Sequence, residues 1–494
     1  MATTVDDVAP GLEPEDAPES REDRARGALR GGAIMAGASV AMRAASLVAQ
    51  LILGRLLLDE EFGLFAVALS LTAVATALRS TIRPVLVETL TAGRSFDAIY
   101  RWVMWSVLLL SAAAVAASPI IASGFGETEA LLPLLPLMFL SIPLQVLPAF
   151  GLARVNQSEN YARLASLLTL GIIARQGGII IAALAGMGVM SFVVGTFAGA
   201  VFELTLVRGQ SGRYPSLFKR THRLDASGAK ALRWLPLATL ALVFATSGDY
   251  PTAAAITTVG VVGQYFFAYQ LTGALSQPFH LAVNSVLVPT FAKLKDADEV
   301  RQGFLRTART ITLIAGVPFG FFAVTAAPLA HFAWSGRWDS ASPAIMLFAV
   351  AMPLRLVHPA CLSILQGRGL WRSHAAMMWL AGLTLVGTAA LGALRGTALS
   401  IALYTLIGHA IVTLVTAVWI ARLTSTSAVK SLLAILEPWV LAMVGVGVAH
   451  LVEPLDSVTW TAMFTHAGIY AAVTLPLIGA RFRRDLTQLA SSIR

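Results

Sequence analysis

Charge is what this chain has least of. Only 13% of its 494 residues are charged, against 56% hydrophobic, and mean hydropathy is +0.73, whereas soluble domains carry about 25% charged residues. That scarcity excludes a water-soluble globular protein. Cysteine is nearly absent as well. The one thiol, Cys361, lies in an apolar stretch and has no partner for an internal disulfide, so it reads as inert. Connections between apolar runs are too short for a soluble catalytic domain. No P-loop, G-x-S-x-G or dinucleotide fingerprint occurs, and neither His-x-x-Glu-His nor paired-Cys spacing is present. ATP hydrolysis, a bound metal and an organic cofactor are therefore not expected, and the isolated His358, His409 and His466 read as packed imidazoles, with proton carriage the alternative.

What the chain does contain is a succession of apolar stretches. A spanning helix needs about 20 mostly apolar residues to cross roughly 30 Å of hydrocarbon. With charge clusters and Gly/Pro breaks as punctuation, spans are predicted near 31–57, 62–82, 102–123, 131–153, 164–184 and 188–207. A second set lies near 234–250, 256–291, 310–333, 341–366, 373–394, 397–420, 432–451 and 459–479. The expectation is an all-α polytopic membrane protein with about fourteen transmembrane helices. It divides into a disordered acidic tail (1–30), a first six-helix unit (31–207), a basic loop (208–233), a second six-helix unit (234–420) and two further helices with a C-terminal tail (421–494). The tail opens on Asp6, Asp7, Glu13, Glu15, Asp16 and Glu19 with no basic residue before them, unlike a cleaved signal peptide.

The excess of 36 Lys and Arg over 27 Asp and Glu gives +9, which in a soluble protein would suggest nucleic acid. Orientation explains it here, and no nucleic-acid partner is expected. Threading the spans with the N-terminus in the cytoplasm puts Arg101, Arg154, Arg163, Arg208, Lys293, Arg301, Arg368, Arg422 and Arg481 inside, while Asp59, Glu60, Glu61, Glu127, Glu129, Glu453 and Asp456 fall outside. Because Lys and Arg bias sets membrane orientation, both termini are expected in the cytoplasm. A repeat at an offset of 200 residues pairs Gly63, Phe65, Ala68 and Leu71 with Gly263, Tyr265, Ala268 and Leu271, and one helical length later Val85-Leu86-Val87 is echoed, one residue out of that register, by Val286-Leu287-Val288. Such repeated bundles typify transporters, with the substrate site between the halves.

Polar residues inside a span need a partner, a cavity or a function, because a central Arg costs about 2.5 to 3.5 kcal/mol on insertion scales. Ser39, Arg43, Ser46 and Gln50 are spaced to share one face of the first span. Thr72, Thr76, Arg79 and Arg83 repeat the arrangement in the second, where Arg83 has snorkelling as its alternative. Gln270, Gly273, Gln277, His280 and Asn284 form a polar stripe on the eighth span, with Pro278 inside it. These residues line either a cavity or a hydrogen-bonded helix interface. Arg175 and Arg355 complete the set of intramembrane arginines. Among scarce intramembrane acids, Asp249 is the candidate for ion coupling, with Glu203 placed near the end of its span.

The stretch Arg26-Gly27-Ala28-Leu29, then Arg43, then Gly54-Arg55-Leu56-Leu57-Leu58-Asp59-Glu60-Glu61-Phe62-Gly63-Leu64-Phe65 resembles the opening of bacterial O-antigen and exopolysaccharide flippases. These belong to the multidrug/oligosaccharidyl-lipid/polysaccharide exporter superfamily. The resemblance implies two six-helix lobes in a V around a central cavity, plus two C-terminal helices. It also implies an inner-membrane transporter, not an enzyme, that moves an undecaprenyl-diphosphate-linked oligosaccharide to the periplasmic leaflet, beside membrane lipid and with a polysaccharide polymerase and export machinery as partners. Related lipid II flippases place arginines on the first and eighth helices; this chain keeps Arg43 but has Gln277, His280 and Asn284 in the eighth. A multidrug extruder of the same superfamily would favour acidic and aromatic cavity residues. A membrane glycosyltransferase or saccharide ligase would need a long outer loop.

Overall fold

The computed structural model describes residues 21–91, 96–158, 160–211, 214–218, 226–294, 296–454 and 456–483. Among them are sixteen α-helices and one 3-10 turn, with no strand. The first bundle comprises α1 (Arg21–Leu56), α2 (Asp59–Thr91), α3 (Phe96–Gly124), α4 (Thr128–Val146), α5 (Pro148–Gln157), α6 (Tyr161–Leu184) and α7 (Met190–Ser211). The second comprises α8 (Ala226–Ser247), α9 (Asp249–Ala254), α10 (Val259–Lys293), α11 (Ala297–Trp334), α12 (Ser342–Gly367), α13 (Trp371–Ala393) and α14 (Ala398–Leu423). The last two helices, α15 (Ala428–Val452) and α16 (Trp460–Arg481), pack on the flank of α11. Tyr470 of α16 donates to the carbonyls of Gly316 and Val317 at 3.2 and 3.0 Å, and Gly320 leaves the space its ring occupies.

Twelve helices among the described residues are long and apolar enough to cross a membrane, and the described apolar run of α8, Arg233–Ser247, is shorter. The protein is a multi-pass helical membrane protein. Its surface is the inverse of a soluble one: Ile120, Ile181, Leu394 and Leu451 are exposed, and much of the interior is alanine. With lipid as solvent, apolar side chains gain nothing by turning inward, and small residues bring helices together.

Several boundaries differ from the sequence reading for local physical reasons. The first helix is already formed at Arg21, the first described residue, ahead of the predicted 31, because Arg24, Ala25, Arg26, Ala28 and Leu29 are strong helix formers. The stretch 21–30 is thus helical, and the remainder of the predicted acidic tail lies outside the described residues. The span predicted at 131–153 is two helices, since Pro148 brings no N–H and its ring obstructs a continuous ladder. The predicted loop 208–233 contracts, as α7 runs to Ser211 and α8 starts at Ala226. Its residues Leu217 and Phe218 turn back onto Trp105 of α3. At 38 residues, α11 is about 57 Å long, so its first turns, with Arg301 and Arg306, project beyond the hydrocarbon.

Loops group on two faces. Tyr161 lies against Gly31, and Arg368 donates to the Leu294 carbonyl, which marks these connections as a face rich in arginine. Glu61 reaches Gly188, and Trp338 donates to the Gly54 carbonyl at 2.8 Å, which marks the opposite, acidic face.

The bundles meet along α2 and α10 near that acidic face. A Cβ on Gly63 would overlap the Val259 carbonyl, and one on Gly263 would overlap the Asp59 carbonyl. Each copy of the sequence repeat therefore supplies the glycine that admits the other's backbone. An aromatic plug fills the seam behind this crossing. Phe65 stacks on Phe192 and Phe267 on Trp338, both with centroids 3.7 Å apart, while Phe62 meets Phe267 and Trp338 edge-on. Further contacts tie the α1–α2 turn to the α11–α12 turn. Trp334 donates to the Leu51 carbonyl (3.2 Å), Arg337 to those of Arg55 (3.0 Å) and Leu57 (3.2 Å), and Arg55 to that of Ala333 (2.8 Å).

Candidate functional site

An open cavity of about 400 Å³ is cut into the first bundle between α2, α6 and α7, with walls from α1, α4 and α5. Its charged groups are Arg79 and Arg83 from α2, Arg175 from α6 and Glu203 from α7; Thr76, Ser80, Gln145 and Thr196 add neutral polar surface. Three guanidiniums and one carboxylate leave a formal charge of +2 if all are ionised. Arg79 and Glu203 form a bidentate pair, Nη1 to Oε2 at 3.1 Å and Nη2 to Oε1 at 2.5 Å. Arg83 and Arg175 make no hydrogen bond or ion pair among the described residues, yet the charge of Arg79 acts on both and that of Glu203 on Arg175. Lysine at these positions would not reproduce the arrangement, since a guanidinium presents a planar fork of donors matched to carboxylate or phosphate oxygens.

The backbone geometry that seats Arg175 comes from glycines. Gly195 and Gly199 lie one turn apart on α7, where a Cβ on Gly199 would fall 2.6 Å from the Arg175 Cβ and one on Gly195 would strike the Arg175 carbonyl. Gly178 faces Gly195 across the same seam. This small-x-x-x-small pattern lets two membrane helices approach closely, and here it brings α6 against the Glu203 helix.

The structure brings together Arg79, Arg83 and Arg175, and it disperses the stripe on α1. Ser39 donates to the Met35 carbonyl at 2.8 Å within its own helix. Ser46 donates to the Met42 carbonyl (3.0 Å) and accepts from Gln176 of α6 (3.3 Å). Gln50 turns the other way and donates to the Phe267 carbonyl of α10 at 3.1 Å, linking the two bundles. Arg43 is half-buried without a hydrogen bond or ion pair among the described residues, and it is Met42, its neighbour, that reaches the cavity wall. On α10, Gln270 is exposed, while the side chains of Gln277, His280 and Asn284 lie outside the described residues.

Arg355 and Asp249 belong to a different site, inside the second bundle. The buried Asp249 carboxylate accepts from the Tyr265 hydroxyl at 2.5 Å, and that hydroxyl lies 3.2 Å from the Thr405 oxygen. The Arg355 guanidinium sits over the Tyr269 ring, 4.5 Å from its centroid, with the buried His409 close enough to feel its charge. This is a carboxylate, a cation and a tyrosine shell held in a protein interior, separate from the arginine cavity.

Glu203 is the cavity residue that sequence reasoning left out of the candidate site. A span ending at 207 leaves Glu203 near the interface, where solvation explains it. In the structure α7 continues to Ser211, two turns past Glu203, and the carboxylate faces inward toward Arg79. The available signal was Gly195 and Gly199, which mark the face of α7 that packs on α6.

Comparison with known proteins identifies the kind of molecule this is. Residues 52–343 match the model of a family described as polysaccharide biosynthesis protein. The chain belongs to that family. It is 25% identical over 405 residues to the succinoglycan biosynthesis transport protein ExoT of Rhizobium meliloti, covering 79% of this chain and 80% of that one. The fold matches that of the lipid II flippase MurJ in its inward closed conformation, with a TM-score of 0.71 at 12% identity over 91% of this chain and 99% of the other. A multidrug resistance MATE transporter of the MOP superfamily in an inward-facing conformation matches with a TM-score of 0.57 at 15% identity, over 79% and 94% of the two chains. The expected all-helical fold of two bundles and two further C-terminal helices is therefore the observed one, with twelve apolar spans found among the described residues, and the described cavity lies inside the first bundle and not between the two.

Proposed function

We propose that this family member is a flippase that carries an anionic, lipid-linked saccharide from the cytoplasmic to the outer leaflet of the bacterial inner membrane, with its arginine-rich face in the cytoplasm. The observation that carries the reading is the arginine cavity. A hydrated phosphate-sugar headgroup cannot enter hydrocarbon unaided, and three guanidiniums opposed by one carboxylate supply a polar recess of matching sign inside a membrane bundle. The polyprenyl tail has no need of a binding site, because it stays dissolved in lipid. An undecaprenyl-diphosphate-linked oligosaccharide for exopolysaccharide or lipopolysaccharide assembly suits this chemistry. A multidrug exporter is the less favoured reading, since an organic cation would meet like charge in the cavity. Its relatives are transport proteins, and we read the chain as a transporter and not an enzyme.

Exporting cells or vesicles loaded with a labelled polyprenyl diphosphate saccharide test this. Hydrogen bonds to charged groups are worth about 1.5 to 3 kcal/mol, so Arg83→Ala and Arg175→Ala should each lower export by about tenfold or more at normal membrane abundance. Normal export by both variants would sink the proposal. We assign ion coupling to Asp249, because its carboxylate is buried and is balanced by the Tyr265 hydroxyl, neighbouring backbone N–H groups and the nearby Arg355 charge, with no ion pair among the described residues. Asp249→Asn should bind headgroup normally while its export no longer responds to an imposed ion gradient. An unaltered response to both proton and sodium gradients would remove Asp249 from that role.

A further inference from the structure

We infer that Glu203 is an internal stand-in for the headgroup phosphate: it occupies the Arg79 guanidinium when the cavity is empty, is displaced when a phosphate-bearing lipid headgroup binds, and returns to drive release. This rests on the cavity being the headgroup site. Three observations lead to it. First, Glu203 meets Arg79 through both carboxylate oxygens and both terminal nitrogens, the fork-to-fork geometry that a phosphate would also adopt. Second, both residues line the open cavity, with 24% of the Arg79 side chain and 10% of the Glu203 side chain accessible, so an entering headgroup meets the Arg79 face of the pair first. Third, Arg83 and Arg175 line the same cavity and make no hydrogen bond or ion pair among the described residues, although the Glu203 charge reaches Arg175, so an entering phosphate finds two guanidiniums without a bonded partner and a third that one carboxylate still holds.

A cavity of three free guanidiniums would bind phosphate tightly and let go slowly. A tethered carboxylate at one of them competes at a fixed, high local concentration, as any linked second ligand does. It lowers net affinity and gives the departing phosphate a replacement, so that Arg79 is never left bare in a low-dielectric site. The trade favours turnover over capture.

Equilibrium binding of farnesyl diphosphate to the purified full-length protein, together with vesicle export, tests the inference. Glu203→Gln keeps the shape and one acceptor oxygen but removes the competing charge. It should bind the probe at least about tenfold more tightly and export more slowly. Arg79→Gln should bind more weakly, and Glu203→Gln added to Arg79→Gln should then produce no further gain. An equal gain in the Arg79→Gln background would mean that Glu203 acts only as a distant negative charge, which overturns displacement. Unchanged or weaker binding by Glu203→Gln overturns it too, as does tighter binding with undiminished export. Should the Gln variant not accumulate, Glu203→Asp is the second probe: its shorter carboxylate cannot hold both bonds, so affinity should rise by a smaller factor, and no rise would refute the inference. If the probe binds wild type and an Arg83→Ala, Arg175→Ala double variant equally, the reading of the cavity as a headgroup site is what fails.

Discussion

At the scale of single residues, the intramembrane arginines divide by what surrounds them. Arg79 is neutralised by Glu203, Arg355 rests on an aromatic face, and Arg83 and Arg175 stand in an open recess. Position in sequence distinguished none of these environments, because hydropathy records depth along a helix and not the identity of the facing side chain. Arg43 illustrates the limit. Its place on one face with Ser39, Ser46 and Gln50 is real, yet those neighbours serve backbone carbonyls and α6, and the stripe is split between two interfaces. The cost of Arg43→Ala should therefore appear in export only if Arg43 meets substrate during the cycle; a matched loss of abundance and thermal stability would show it to be structural. Glu203→Ala leaves Arg79 uncompensated in the bundle, a change that costs about 3 to 5 kcal/mol for a fully buried pair. The open cavity wall puts the cost below that range here, and membrane abundance is the measurement.

Elements tell more of the same story in a form the sequence does carry. The repeat at an offset of 200 residues is legible as a short string, and its meaning becomes physical at the α2–α10 crossing, where Gly63 and Gly263 each admit the other helix. Apolar run lengths located the helices well because spanning is a one-dimensional constraint. They failed where an interruption is local, as at Pro148 and Gly248, and where a charged segment extends a helix into water, as at the start of α11. Gly63→Leu should force α2 from α10, with destabilisation in the range of about 1 to 3 kcal/mol typical of overpacking. A short thiol cross-linker should join cysteines placed at Asp59 and Gln264, whose side chains hydrogen-bond at 3.1 Å, and should fail to do so once Gly63→Leu is added. Equal cross-linking in both proteins would show that the crossing tolerates the side chain.

For the whole molecule, orientation and closure are the properties that matter. The one native thiol, Cys361, is buried, so engineered cysteines report without background. A cysteine at Ser457 on the acidic face should react with an impermeant reagent added to intact cells, and one at Ser425 on the arginine-rich face should not; the reverse pattern would invert the proposed direction. Closure at the acidic face has a property that follows from how it is built. The α1–α2 and α11–α12 turns are joined by Trp334, Arg337, Trp338 and Arg55, each of which donates to a main-chain oxygen of the other turn. A main-chain acceptor survives almost any substitution of the residue that owns it, whereas a side-chain donor survives few. Tolerance across this seam is thus lopsided. Saturating mutagenesis should find positions 51 and 333 permissive and 334, 337 and 338 restrictive. Positions 54 and 57 are the exceptions among acceptors, because a Cβ at 54 would collide with the Trp334 ring and the Leu57 side chain is itself buried in the core. Chains descended from this one can rewrite the permissive acceptors while the donors stay fixed, and drift should accumulate at those acceptors.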